Sequence, residues 1–203
     1  MSYPEAYSAF RRTTGDLPNT IEPSKETLPK ELGNHDVLIK IHAVSLNYRD
    51  VGILIGNYPA PTKKGGIPTS DAAGEVIAIG VHVNSFKVGD RVAPITGVGK
   101  YESTADVDAA PLGTAADGVL GEYAVFKHWH LVQLPKHMSY EEVRNPISIQ
   151  LMERNYTYFE KGSMLPCAAL TAWTALDNLN HVPEKASALF QGMGVFLKKR
   201  SWG

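Results

Sequence analysis

Glycines and prolines, 18 and 13 of them, are spread along the 203-residue chain rather than gathered into one tract. They cut it into short segments, so the chain must fold through many brief elements and tight turns. This suits many short strands with tight turns, and a Gly/Pro-rich disordered tract is excluded. No repeat at a fixed period is found.

The segments themselves read mostly as strands. Residues 36–45 alternate Val37, Ile39, Ile41 and Ala43 with Leu38, Lys40 and His42, which predicts a strand with one buried face. Residues 47–55 break that period and predict a turn and a short helix. Pro59, Pro61, Gly65, Gly66 and Pro68 then predict a loop. Further strands are expected at 74–80, 91–93, 122–126 and 131–134, with Val88-Gly89-Asp90 as a turn and Pro135 as a stop. The small, polar residues 96–118 predict a long mobile loop. Short strands at this spacing point to a β-barrel-like domain ending near residue 136. Beyond it, Ser139 and Glu142 have the spacing of a capping box, but Asn145-Pro146 would stop that helix after one turn. Helical spacing returns at Cys167, Leu170, Trp173, Thr174 and Leu176.

Composition narrows the function. Lys and Arg number 20 against 21 Asp and Glu, a net charge of −1, so nothing marks a nucleic-acid or anionic-membrane surface. Hydrophobic residues make up 43%, enough for a core, yet no run approaches a membrane span and the N-terminus lacks a secretory h-region. Cys167 is the single cysteine, which excludes a disulfide scaffold and a four-cysteine zinc lobe and agrees with a cytoplasmic location. His128 and His130 flank Trp129 and would share one strand face. With no third ligand at metal spacing, they read as surface histidines. Lys198-Lys199-Arg200 reads as a solvated tail.

Six motifs in order carry a family resemblance. They are Asp36-Val37-Leu38-Ile39, Asn47-Tyr48-Arg49-Asp50, Ser70-Asp71-Ala72-Ala73-Gly74-Glu75-Val76, Gly89-Asp90-Arg91-Val92, Gly121-Glu122-Tyr123, and the run from Leu165-Pro166-Cys167 to Ala175-Leu176. Together they resemble the medium-chain dehydrogenase/reductase superfamily, and within it the quinone-oxidoreductase-like branch with fungal zinc-binding-alcohol-dehydrogenase-like members. The resemblance implies a mainly β fold with some α. A GroES-like barrel domain would occupy 1–136. A linker helix, an atypical insert and the incomplete start of a Rossmann domain would occupy 137–203. It also implies hydride transfer between a nicotinamide cofactor, NADP(H) over NAD(H), and a quinone, enone or aldehyde/alcohol substrate. The cofactor carries the chemistry and the protein supplies orientation. Small-molecule substrates are the expected partners, and homodimerisation is left open.

Relatives that use catalytic zinc hold it with two cysteines and a histidine. The matching positions here are Asn47, Ser70 and Cys167, so no zinc is expected, catalytic or structural. By the same matching, Asn47, Tyr48 and Asp50 are the candidate catalytic residues, with Asp50 expected to orient the loop. Tyr58 is the candidate substrate-binding residue. Asn47, Thr171, Gly192 and Gly194 are the candidate cofactor-binding residues. The branch's second pocket tyrosine falls at Gly52 and is missing. Plain readings stand beside these: Tyr48 and Tyr58 as amphipathic packing, Asn47 as a turn residue, Thr171 and Cys167 as core.

Two departures remain. Residues 143–164 interrupt a helix that relatives continue directly, and after Gln191-Gly192 the expected G-x-G-x-x-G turn dissolves, leaving Gly192 and Gly194 alone. We expect 143–164 to be translated intron and 193–203 a shifted frame or a mis-predicted exon; a genuine insertion with natural truncation is the alternative. As written, the chain is expected to bind dinucleotide weakly and to be inactive. The reading from a different class is a non-catalytic GroES-like binding or dimerisation module.

Overall fold

The computed structural model describes residues 3–98 and 110–134. Two strands, β1 (Ala6–Arg12) and β2 (Ile21–Thr27), form an antiparallel hairpin. There follow β3 (Asp36–Ser45), helix α1 (Tyr48–Leu54), β4 (Asp71–Ile79), β5 (Arg91–Pro94), β6 (Tyr123–Lys127), a one-turn 3-10 helix (His128–His130) and β7 (Leu131–Gln133). The last five strands make one antiparallel sheet in the order β6-β3-β4-β5-β7.

That order dictates the shape. β6 and β7 are the two edges of the sheet, yet only His128–His130 separates them in sequence. A connection this short spans roughly 14 Å at most, short of the roughly 19 Å between the edges of a flat five-stranded sheet. The sheet is therefore rolled until its edges nearly meet, and the interior fills with Val37, Ile39, Val76, Val92, Leu112, Val119, Phe126 and Leu131. The hairpin lies along the rim, joined through Phe10 N–H to Leu120 O at 3.0 Å and Glu122 N–H to Ser8 O at 3.0 Å.

The sequence expectations for β3 to β7 and α1 hold to within a few residues. Three readings need correction. Leu38 does not face outward: Val37, Leu38 and Ile39 are all 0% exposed, so both faces of β3 are covered at this end. Bulges break the alternation as well, with Ile77 skipped on β4 and His42 skipped on β3. The stretch 96–118 is no uniform mobile loop. Residues 99–109 lie outside the described residues, but Leu112, Gly113 and Thr114 are buried, and Leu112 N–H reaches Thr96 O at 2.8 Å. His128 and His130 do not share a strand face, because the segment closes into a 3-10 turn at the barrel seam. That turn buries His130 and leaves Trp129 half exposed.

A charged network fastens the hairpin to the loops below it. Arg11 bonds Glu26 with both Nε (2.6 Å) and Nη2 (2.8 Å), and Asp117 accepts from Lys63 Nζ at 2.7 Å and from Ile67 N–H at 3.0 Å. The Arg11 hydrogen bond holds Glu26 below the ordinary carboxylate range. Burial pushes Asp117 up, but Lys63 and the Ile67 amide outweigh it and the net direction is down. Carboxylates lowered in the folded state stabilise it above their unfolded pKa, and that stabilisation is lost as pH falls through the folded value. Stability should therefore drop below about pH 4. Glu26→Gln should be less stable at neutral pH and flatter in the acid limb, checked by urea midpoints from pH 7 to pH 2.5.

Candidate functional site

The register of β3 on β4 pairs Ser45 with Asp71. Asn47, two residues beyond Ser45, therefore emerges beside the start of β4. It caps α1 from an extended conformation (φ −116°, ψ 155°), and its carbonyl accepts Asp50 N–H at 3.0 Å. Asp50 Oδ2 returns the bond to Asn47 N–H at 2.8 Å, which satisfies one of the amides a helix start leaves orphaned. With its backbone thus engaged, Asn47 turns its side chain across the corner, and Nδ2 donates to Asp71 Oδ2 at 2.8 Å.

Asp71 is 0% exposed. Burial pushes its carboxyl up; the Asn47 hydrogen bond, the Arg49 charge and the nearby Ser70 hydroxyl oppose that shift, and Asp50 adds to it. Ser70 Oγ nevertheless makes no well-formed hydrogen bond. Among the described residues, Thr69 Oγ1, Ser70 Oγ, Asp71 Oδ1, Asp50 Oδ1 and Arg49 Nε are all buried without a protein partner. Buried polar atoms left open together at one corner call for a partner, whether ordered water, an ion or a polar ligand.

The corner is held in an unusual backbone shape. Thr69 has φ +67°, a left-handed conformation that costs a β-branched residue about 1–2 kcal/mol. Two glycines permit it. A Cβ on Gly113 (φ +73°) would stand 2.6 Å from Thr69 O, and one on Gly118 would collide with Thr69 O and Pro68 O. Val119 N–H bonds to both Pro68 O and Thr69 O. Arg12, itself buried, donates to Gly113 O at 2.7 Å and to Lys63 O at 3.1 Å, and Arg49 Nη2 reaches Leu112 O at 2.8 Å.

Of the residues singled out from sequence, Asn47 and Asp50 meet at this corner. Tyr48 projects from the first turn of α1, 72% exposed; with Val51 and Ile55 it makes an apolar stripe facing outward. Tyr58 is half-buried beyond the helix, and neither phenol hydrogen-bonds to the Asn47–Asp71 pair. Thr171, Gly192 and Gly194 lie outside the described residues, as do Cys167 and 143–164. Asp71, Thr69, Arg49 and Arg12 were not assigned roles from sequence. Asp71 stood inside a quoted motif, and a carboxylate in an otherwise small and apolar strand was the available signal. Among the described residues, no three of His, Cys, Asp and Glu are grouped to hold a metal. No helix there is long and apolar enough to cross a membrane.

A rolled antiparallel barrel with a buried polar corner at its β3–α1 turn is the class this chain defines. Residues 33–136 match the alcohol dehydrogenase GroES-like domain. The chain belongs to that family, within the medium-chain dehydrogenase/reductase superfamily. It is 34% identical over 158 residues to a zinc-type alcohol dehydrogenase-like protein of Schizosaccharomyces pombe, covering 77% of this chain and 40% of that one. It is 37% identical over 114 residues to a quinone oxidoreductase of Pseudomonas aeruginosa, covering 56% and 29%. The fold superposes on an alcohol dehydrogenase structure from Sinorhizobium meliloti with a TM-score of 0.66 and 28% identity, covering 89% of this chain and 48% of that one. The chain thus spans less than half the length of these relatives.

Proposed function

We propose that this chain carries the substrate-binding barrel of a nicotinamide-dependent oxidoreductase. The enzyme would move hydride to or from a quinone, enone or aldehyde/alcohol and work without catalytic zinc, using NADP(H) over NAD(H). The observation that carries the reading is the Asn47–Asp71 corner, with its buried, open polar atoms, on a fold whose relatives bear oxidoreductase names.

The donor set does not fit zinc. At two of the family's ligand positions stand an amide already committed to a carboxylate and a buried hydroxyl, and neither matches a thiolate or imidazole. The corner does suit the polar end of a nicotinamide cofactor, since it offers unpaired acceptors and hydroxyls beside the outward-facing stripe of α1. When bound, that cofactor supplies the hydride. The chain's own residues orient and shield: Asn47 presents an amide, Asp50 fixes the turn that carries it, and Tyr48 and Tyr58 offer phenols to the substrate side. Thr171, Gly192 and Gly194 are proposed to hold the cofactor from beyond the described residues.

The test is NADPH and NADH oxidation by the full chain with 1,4-benzoquinone, cyclohexenone and benzaldehyde. We expect the 203-residue chain by itself to bind dinucleotide weakly and turn over little, and the same chain joined to a complete nucleotide-binding domain to turn over favouring NADPH, with activity unchanged by chelators. Asn47→Ala should lower kcat/KM on the order of 100-fold, the typical cost of one oriented hydrogen-bond group. Stoichiometric zinc whose removal abolishes activity would sink the zinc-free reading. Tight stoichiometric dinucleotide binding by the chain alone would overturn the weak-binding expectation, and no turnover with any acceptor even in the joined form would favour the binding or dimerisation module.

A further inference from the structure

We propose that Gly52 is a specificity-determining residue: it leaves a notch in the apolar flank of α1, and the notch seats the flat apolar ring of an aryl substrate. The inference deepens the reductase reading and rests on it only for the substrate class.

Side chains of a helix advance by roughly 100° per residue, which places Gly52 between Tyr48 and Ile55 on one side and Arg49 and Ile53 on the other. Tyr48 and Ile55 are exposed, whereas Ile53 is buried. Gly52 thus stands where the outward stripe of α1 turns into the core. The backbone does not demand a glycine there. Residue 52 lies mid-helix without a left-handed φ, where glycine only forgoes helix propensity. What it provides is room. A Cβ built on Gly52 meets nothing within 4 Å among the described residues. Gly15 and Gly89 share that property, but they are exposed loop residues and their open side is bulk solvent. Gly52 is buried. Its neighbours therefore keep solvent off the backbone without occupying the place a side chain would take.

The walls are held apart. Arg49 Nη2 is tied to Leu112 O at 2.8 Å, Gly52 O accepts Asn57 N–H at 2.8 Å, and Ile53 is fixed by its burial. Carbon atoms in contact stand about 3.5–4.0 Å apart, so a ring edge at the Cβ point touches these walls without overlap. The outer rim is the Tyr48 ring and the Ile55 side chain. A planar apolar ring gains there by burial and asks for no hydrogen-bond partner.

The first test needs no ligand. Melting midpoints are measured for the full 203-residue chain and for Gly52→Ala and Gly52→Leu. Both variants gain helix propensity to a similar degree. Leucine also buries apolar surface in the notch, so its midpoint should exceed that of Gly52→Ala by about 3 °C. A midpoint equal to or below that of Gly52→Ala, or failure of Gly52→Leu to fold, means that the room is not there and overturns the proposal.

The second test reads the ring. Benzyl alcohol and 2-naphthalenemethanol are titrated into the ¹⁵N-labelled chain while the Gly52 and Ile53 amide signals are followed. The second ring should bring half-saturation at about 10-fold lower concentration, the gain from burying its added apolar area. In Gly52→Leu that preference should vanish. Equal half-saturation in the native chain, a preference that survives in Gly52→Leu, or signals that move with neither alcohol overturns the proposal. Neither test requires cofactor or turnover. A joined enzyme that fails to turn over sinks the reductase reading and leaves the notch standing, whereas equal midpoints sink the notch alone.

Discussion

Replacing Gly118 with alanine is expected to lower the thermal unfolding midpoint by about 10 °C, a loss of about 3 kcal/mol. The new methyl group would fall on the carbonyls of Pro68 and Thr69, which are backbone atoms already committed to Val119 N–H and unable to swing aside. Gly113→Ala should cost a similar amount, because it adds a left-handed φ to a contact of 2.6 Å. The control is Gly52→Ala in α1. A Cβ there meets nothing within 4 Å, so the substitution should stabilise by about 0.5–1 kcal/mol through helix propensity. Calorimetry on the three variants checks the contrast. Equal midpoints for Gly118→Ala and the native chain would mean the corner is not packed as described.

The second large effect concerns Arg12. Its guanidinium is the donor for Gly113 O and Lys63 O, and burial holds its pKa below the usual arginine value. Arg12→Met keeps most of the aliphatic stem but strands the Gly113 carbonyl away from water, while Lys63 O keeps the Gly66 N–H at 3.2 Å. An orphaned buried carbonyl costs about 1–3 kcal/mol and the lost bond to Lys63 O adds about 1 kcal/mol, so the variant should lose about 2–4 kcal/mol. The damage should also be local in kind. Gly113 is one of the two glycines against Thr69, so loosening it frees the left-handed turn that leads into Asp71. Urea unfolding gives the stability, and amide exchange at Thr69 and Ser70 gives the location. A variant that loses stability but keeps those amides protected would separate Arg12 from the corner.

What could be read in advance divides along physical lines. β3, β4 and β6 announced themselves because each packs Val, Ile or Phe side chains into the barrel, and burial imprints a period on sequence. The hairpin of β1 and β2 left no such imprint. Of its two strands only Ala9 and Arg12 are buried, and β2 reads Ile21-Glu22-Pro23-Ser24-Lys25-Glu26-Thr27. It is held by backbone ladders and the Arg11–Glu26 pair, which composition does not reveal. Pro23 sits in a two-stranded sheet whose outer edge asks for no donor there. Asn47 was legible as a candidate from its motif. Its partner was not, since the Asn47–Asp71 bond joins residues 24 apart and depends on the β3–β4 register. The burial of His130 likewise follows from closing the barrel, a global event with no local signature.

The ladder that adds β6 to β3 joins Asp36 to Lys127 and Lys40 to Tyr123, and the other edge strand, β7, ends at Gln133. A chain emerging from the ribosome N-terminus first could therefore hold β1 to β4 for roughly 2–9 s with β3 still missing one neighbour. Contacts this distant in sequence make folding slow, since the closure entropy must be met before the pairing rewards it. The interval before β6 arrives leaves the apolar flank of β3, Val37 to Ile39, open to other chains. Crowded synthesis, rather than the finished fold, is where this protein is most exposed to misassembly.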